Sequence, residues 1–291
     1  MLLLSTAAEL SLLRVNRASF ADVPQKYATI EDVATLVHHR GPTTLPGTPP
    51  RTDAGETIVC LHDAGGNGSE LAELMDHLAA DHSPIAYDQP GHGRSAGLDS
   101  LGSIEAMAAH LHALASSWSI TAPVLLGEGL GAAVALQAAT DHPGWAKALV
   151  LVGGAAASFD VEPEIERLAA VTAGRARREF DRSGYAPDTG RAVYQRAFTE
   201  WVKTDPRATL GDRRAQAAWT LGSSGPPPDV PTLVVIGEHE GADSAAAAGE
   251  LAARLPTASV HRLAGAGRRG VLEQPAALAS AISDYLQGGD R

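Results

Sequence analysis

The sequence predicts an α/β fold: a mostly parallel central sheet with flanking helices and a short helical cap. Three observations carry this. Short runs rich in Val, Leu and Ile alternate with longer stretches of helical periodicity, as in a sheet covered on both faces. That rhythm breaks between about residues 155 and 228 and then resumes. Glycine-rich turns follow several of the runs, at the carboxyl ends of strands where open α/β sheets place their sites.

In chain order, "VATLVHH" (33–39) is the first expected strand, followed by the Pro- and Gly-rich loop "GPTTLPGTPPRTDAGE" (41–56) and the strand "TIVCLH" (57–62). "SELAELMDHLAA" (69–80) and "SIEAMAAHLHALASSW" (103–118) place apolar residues at helical spacing, and "SPIAYD" (83–88) between them is a strand. "PVLLG" (123–127) leads through a glycine turn to a helix from Gly131 to about His142, and then to the strand "KALVLVGG" (147–154). The segment 155–228 has no β run and holds most of the Trp, Tyr and Phe, which describes a helical insertion closed by "GSSGPPPDVP" (222–231). Its aromatics Trp201, Trp219, Tyr185 and Phe198 suit either an apolar pocket or the cap's own core. "TLVVIG" (232–237), a helix at 243–255, "ASVHRLAG" (258–265) and a last helix at 275–287 complete the alternation. The expected organisation is an N-terminal extension (1–32, helical), a first core part (33–154), the cap (155–228) and a second core part (229–291).

With 291 residues, 44% of them apolar and 20% charged, the chain suits one large domain with an insertion. The net charge of -11 disfavours phosphate backbones and anionic membranes, so neither a nucleic-acid nor a membrane partner is expected. The single cysteine, Cys60, lies inside an apolar strand, which excludes a disulfide framework and fits the cytoplasm. "MLLLSTAAELSLLRVNRASF" has an apolar patch too short for a signal peptide or a membrane span. An extra helix is expected there, packed on the body or on a second copy in a homodimer.

Five motifs resemble the α/β-hydrolase superfamily, in its branch with a helical cap: "LHDAGGNGSEL" (61–71), "YDQPGHGRS" (87–95), "GEGLG" (127–131), "VVIGEHEGAD" (234–243) and "LAGAGRRGVLEQP" (263–275). The likeness covers about residues 33–288. It implies an oxyanion hole from the N–H groups of Ala64 and Leu130, with Asp63 in place of a usual glycine. It also implies a triad at Gly129, Glu240 and Arg268, where the family has a serine, an acid and a histidine. Gly129 offers no attacking atom, and an arginine, with a pKa above about 12, is no base at neutral pH. The "DQPGHGRS" turn is mostly structural in the family, so His92 is expected to hold a loop.

For function, the residues leave different classes open. One expectation is a pseudohydrolase that holds a small organic molecule under its cap, or a non-covalent catalyst of cyclase or lyase type. Another is an ester or lactone hydrolase with its nucleophile and base relocated, to Ser95, Ser158, His62 or His239. Asp63 and Glu128, the latter one residue before the turn's apex, are accessory candidates, and His62 and His239 are either substitute bases or histidines bonded to loop backbone. Arg268 either pairs with Glu240 or binds a carboxylate or enolate. Gly129→Ser with Arg268→His would then rebuild the covalent route. "GEGLGA" also satisfies a dinucleotide fingerprint, but the next strand ends in Gly153 and Gly154 without the ribose-binding acid. No cofactor is expected, and no residue cluster has the spacing of metal ligands.

Overall fold

The computed structural model describes residues 24–42, 44–153, 161–223 and 225–288. Eight strands form one sheet in the order β1-β2-β4-β3-β5-β6-β7-β8. They are β1 (Gln25–Ile30), β2 (Val33–His39), β3 (Thr57–Leu61), β4 (Ser83–Tyr87), β5 (Val124–Glu128), β6 (Ala148–Val152), β7 (Thr232–Gly237) and β8 (Ala258–Leu263). β2 runs antiparallel to β1 and β4, and every later pairing is parallel.

β1 corrects an expectation, because residues 25–30 fall in the stretch assigned to a helical extension. Its only buried residues are Ala28 and Ile30, two apart, too few to register as a strand pattern. Glu31 and Asp32, at φ 48 and 66, form the two-residue turn into β2, matched to the right-handed twist of a hairpin. The helix expected in residues 1–23 lies outside the described residues.

Period-two alternation sorts the strand side chains between two apolar layers. Val59, Leu61, Leu125, Leu149, Leu151 and Val234 face one layer. Helices α2 (Ile104–Ser117), α3 (Leu130–Asp141) and α7 (Ala242–Arg254) cover it. Ile58, Cys60, Leu126, Val150 and Val235 face the other, covered by α1 (Ala72–Leu78), the single turn α8 (Gly270–Glu273) and α9 (Pro275–Leu286). Burial raises the Cys60 thiol to about 12, so it stays protonated and inert.

Between β6 and β7 stand α4 (Glu162–Thr172), α5 (Arg191–Trp201) and α6 (Pro206–Ala218). Ile165 and Leu168 of α4 pack on Leu210 of α6. Trp219 is core, with its indole N–H donated to Gln137 Oε1 of α3 at 2.7 Å, whereas Phe198 is 47% exposed and stacks among Phe180 and Trp201.

α3 approaches the sheet closely because glycines permit it. A Cβ at Gly127 would lie 2.2 Å from the Gly131 carbonyl, and one at Gly131 would lie 2.5 Å from the Leu61 oxygen. Gly127→Ala is therefore expected to lower stability by about 1–3 kcal/mol, read as a lower urea midpoint at unchanged slope.

Candidate functional site

Three segments meet at the carboxyl end of the sheet: the loop after β3, the turn between β5 and α3, and the loop after β8. Gly129, at φ 55 and ψ -111, holds the sharp strand-to-helix turn, a backbone conformation open to glycine and strained for other residues. The turn directs the Leu130 N–H, at the N-terminus of α3, toward the β3 loop.

What meets that N–H is a carboxylate of the chain itself. Asp63 Oδ1 accepts from Ala64 N at 2.7 Å and from Leu130 N at 3.0 Å. The two N–H groups that the resemblance assigned to an oxyanion hole thus converge on one point, and Asp63 fills it. A Cβ on Gly129 would fall 2.2 Å from the same oxygen, so the carboxylate also takes the space a nucleophile would need. Asp63 is fully buried. Arg268 Nη1 and Arg269 Nη1 reach its Oδ2 at 3.2 and 3.4 Å, and Arg213 Nη1 of the cap helix α6 lies 3.5 Å from Oδ1. Burial alone would raise the Asp63 pKa, but the three guanidiniums and the Leu130 N–H outweigh it and hold the group ionised well below the usual carboxylate range.

Arg268 thus engages the Asp63 carboxylate, where pairing with Glu240 was one expectation. Glu240 instead accepts from Gly237 N at 3.1 Å and from the Ser244 hydroxyl, tying down its own loop. Arg268 also donates its backbone N–H to Gly184 O at 2.7 Å, which docks the β8 loop on the cap segment.

Arg269 serves two further acids, with Nη2 2.8 Å from Glu70 Oε2 and Nε 3.3 Å from Glu128 Oε2. Glu128 is buried beside Val271 N, facing away from the cavity under the cap. Burial raises its pKa to about 8 against the opposing charge of Arg269, and Asp63 and Glu70 add to the rise. It gives no sign of a nucleophile.

The histidines are engaged in holding loops. His62 Nδ1 lies 2.8 Å from Asp63 O, and its Nε2 accepts from Gln89 N at 3.2 Å. Burial lowers its pKa to about 4. His92 faces only acceptors, Pro90 O at 3.1 Å and Asp212 Oδ2 at 2.7 Å, so both ring nitrogens donate. Burial would lower the His92 pKa, but Asp212 outweighs it and raises the value. The same Asp212 oxygen accepts from Gly65 N at 2.9 Å, so α6 of the cap is tied to two core loops. His239 is exposed. Ser95 donates to Asp88 O at 2.5 Å and accepts from Leu36 N at 2.8 Å, which ties its loop to β2. Ser158 lies outside the described residues.

Under the cap a cavity of about 100 Å³ opens beside Ala64, lined among others by Tyr185, Trp201, Arg178, Arg213 and Arg268. Two of the four cap aromatics singled out in the sequence, Tyr185 and Trp201, face it. Sequence reasoning named Asp63 as a replaced glycine and a possible accessory residue, and passed over Glu70, Arg178, Arg213 and Arg269. The one local signal was the coincidence of an acid in "LHDAGG" with two bases in "GAGRRG".

A family model described as the alpha/beta hydrolase family matches residues 58–281, more than half of the chain, and the chain belongs to that family. A relative from Rhodobacter capsulatus, named magnesium-chelatase 30 kDa subunit, is 28% identical over 258 residues, covering 80% of this chain and 88% of that protein. The enol-lactonase of Burkholderia xenovorans LB400 superposes with a TM-score of 0.73 at 21% identity, over 90% of this chain and 99% of the other. A thermophilic esterase from Thermogutta terrifontis gives 0.75 at 18% identity, over 92% and 100%. At those identities the two structures speak for the fold. Among the described residues no helix is long and apolar enough to cross a membrane.

The buried charges lead to two predictions. Asp63→Asn leaves three guanidiniums facing a neutral group, and a loss of about 3–5 kcal/mol is expected in urea unfolding, as for a broken buried ion pair. Glu128 has a folded pKa of about 8 above the ordinary 4.5, so the native state binds the extra proton. Its contribution is complete below the unfolded value and is lost as pH rises through the folded one. Unfolding free energy should therefore fall between about pH 5 and 8, and Glu128→Gln should flatten that slope.

Proposed function

We propose that this chain is a non-hydrolytic member of its family, a pseudohydrolase whose cavity under the cap holds a small organic molecule without forming an acyl-enzyme. The observation that carries the proposal is the Asp63 carboxylate seated on the Ala64 and Leu130 N–H groups. Ester or lactone hydrolysis needs an attacking atom, a group that takes and returns a proton, and donors for the oxyanion that develops. Gly129 supplies no atom, a guanidinium is no proton shuttle, and the donors already hold a negative oxygen. A second oxyanion at that point would face the first across about one hydrogen-bond length, and like charges so close do not coexist in a buried site. The same occupancy argues against a non-covalent catalyst that relies on those N–H groups. Residence in the cytoplasm belongs to the same proposal and rests on the single buried thiol.

The test is hydrolysis of short-chain p-nitrophenyl esters and simple lactones by the purified protein. The natural protein is expected at the buffer rate. Gly129→Ser with Arg268→His should stay there too, because the new side chain meets Asp63, whereas adding Asp63→Gly, with folding checked by circular dichroism, should raise turnover above both. Enzyme-like rates in the natural protein would falsify the proposal, and equal rates in the double and triple variants would remove Asp63 as the obstacle.

A further inference from the structure

The cap cavity holds an arginine that takes no part in the Asp63 cluster. Arg178 places its guanidinium carbon over the Trp201 ring, 3.9 Å from its centroid, a cation–π contact that holds the group in place. Its Nε and Nη2 are buried and have no hydrogen-bond partner among the described residues. These two nitrogens form one edge of the guanidinium, with parallel N–H bonds at the spacing of two carboxylate oxygens. Thr209 Oγ1, in the same cavity, is likewise buried without a partner. Buried donors normally find acceptors, and three of them around one cavity describe a receptor for an anion.

The acids of the cavity are engaged elsewhere. Glu70 holds Arg269, Glu164 holds Arg213 Nε at 2.8 Å, and Asp181 accepts from the Ser183 N–H and hydroxyl at 2.9 and 3.0 Å. Glu179 is exposed. Phe180, Tyr185 and Trp201 supply aromatic walls, which suit a planar apolar body attached to the charged group.

We propose that the Nε–Nη2 edge of Arg178, with the Thr209 hydroxyl, binds the carboxylate of a small planar organic acid whose apolar body lies against the cap aromatics. This rests on the function proposed above and names the ligand class of the same cavity. Arg178 positions the ligand through a bidentate pair, and the stacked Trp201 spares it the ordering that a free arginine would need.

Isothermal titration of the natural protein with benzoate, benzamide and inorganic phosphate at constant ionic strength tests this. Benzoate is expected to bind at least tenfold more tightly than benzamide, and phosphate not to displace it at equal concentration. Arg178→Gln should abolish benzoate binding, Arg178→Lys should keep only a fraction because a point charge lacks the fork, and Thr209→Val should weaken it less. The thermal midpoint of each variant controls for folding. Equal binding of benzamide, or unchanged benzoate affinity in Arg178→Gln, overturns the carboxylate assignment while leaving a ligand-binding cavity in place. Displacement by phosphate makes the site a general oxyanion site and overturns the ligand class. Failure of both benzoate and benzamide to bind overturns the receptor and counts against the binding function as well.

Discussion

A single buried carboxylate organises this molecule's sheet end. Asp63 can stay ionised in the interior only because two backbone N–H groups, one at the N-terminus of α3, and three guanidiniums surround it. Those groups come from separate parts of the chain: the turn after β5, the cap helix α6 and the loop after β8. The charge therefore fixes where the cap and the C-terminal loop sit relative to the core. Without it, three arginines would face one another across a site with little access to water.

The interior around that charge is densely ionic, and not every acid is equally well served. Asp63 takes hydrogen bonds and three cations, whereas Glu128 has Arg269 at one edge and a long backbone contact at the other. The consequence is two carboxylates in one cluster with opposite shifts, Asp63 held ionised and Glu128 held protonated near neutral pH. Such clusters add little net stability, since desolvation offsets attraction, but they penalise arrangements in which a partner is missing. The His92–Asp212 pair ties the cap by the same logic at a second point.

On the proposed reading, the family's scaffold is retained while the site that the resemblance implies is occupied from within. The strained turn at Gly129 and the converging N–H groups persist, yet the oxygen they grip belongs to the protein. The cap cavity beside it has aromatic walls, and Arg178 and Thr209 of its lining carry buried donors without a partner among the described residues. Recognition of the kind proposed needs only donors, shape and exclusion of water.

The sequence by itself determined the alternation of strands and helices and the family they define. Continuous Val-, Leu- and Ile-rich runs alternating with helical periodicity are local patterns, and glycine turns mark the strand ends wherever the chain folds. It also showed that a glycine offers no attacking atom and an arginine no ready base, which is a matter of side-chain chemistry alone. It did not announce β1, whose two buried residues are too sparse for a pattern. Only the tertiary structure decided which acid meets which base. Asp63 and Arg268 are 205 positions apart, so no local periodicity relates them. Glu240, the acid that the family resemblance placed opposite Arg268, instead bonds within its own loop. Charge pairing in a folded interior is set by which loops the sheet order brings to one edge, and strand order is a property of the whole chain.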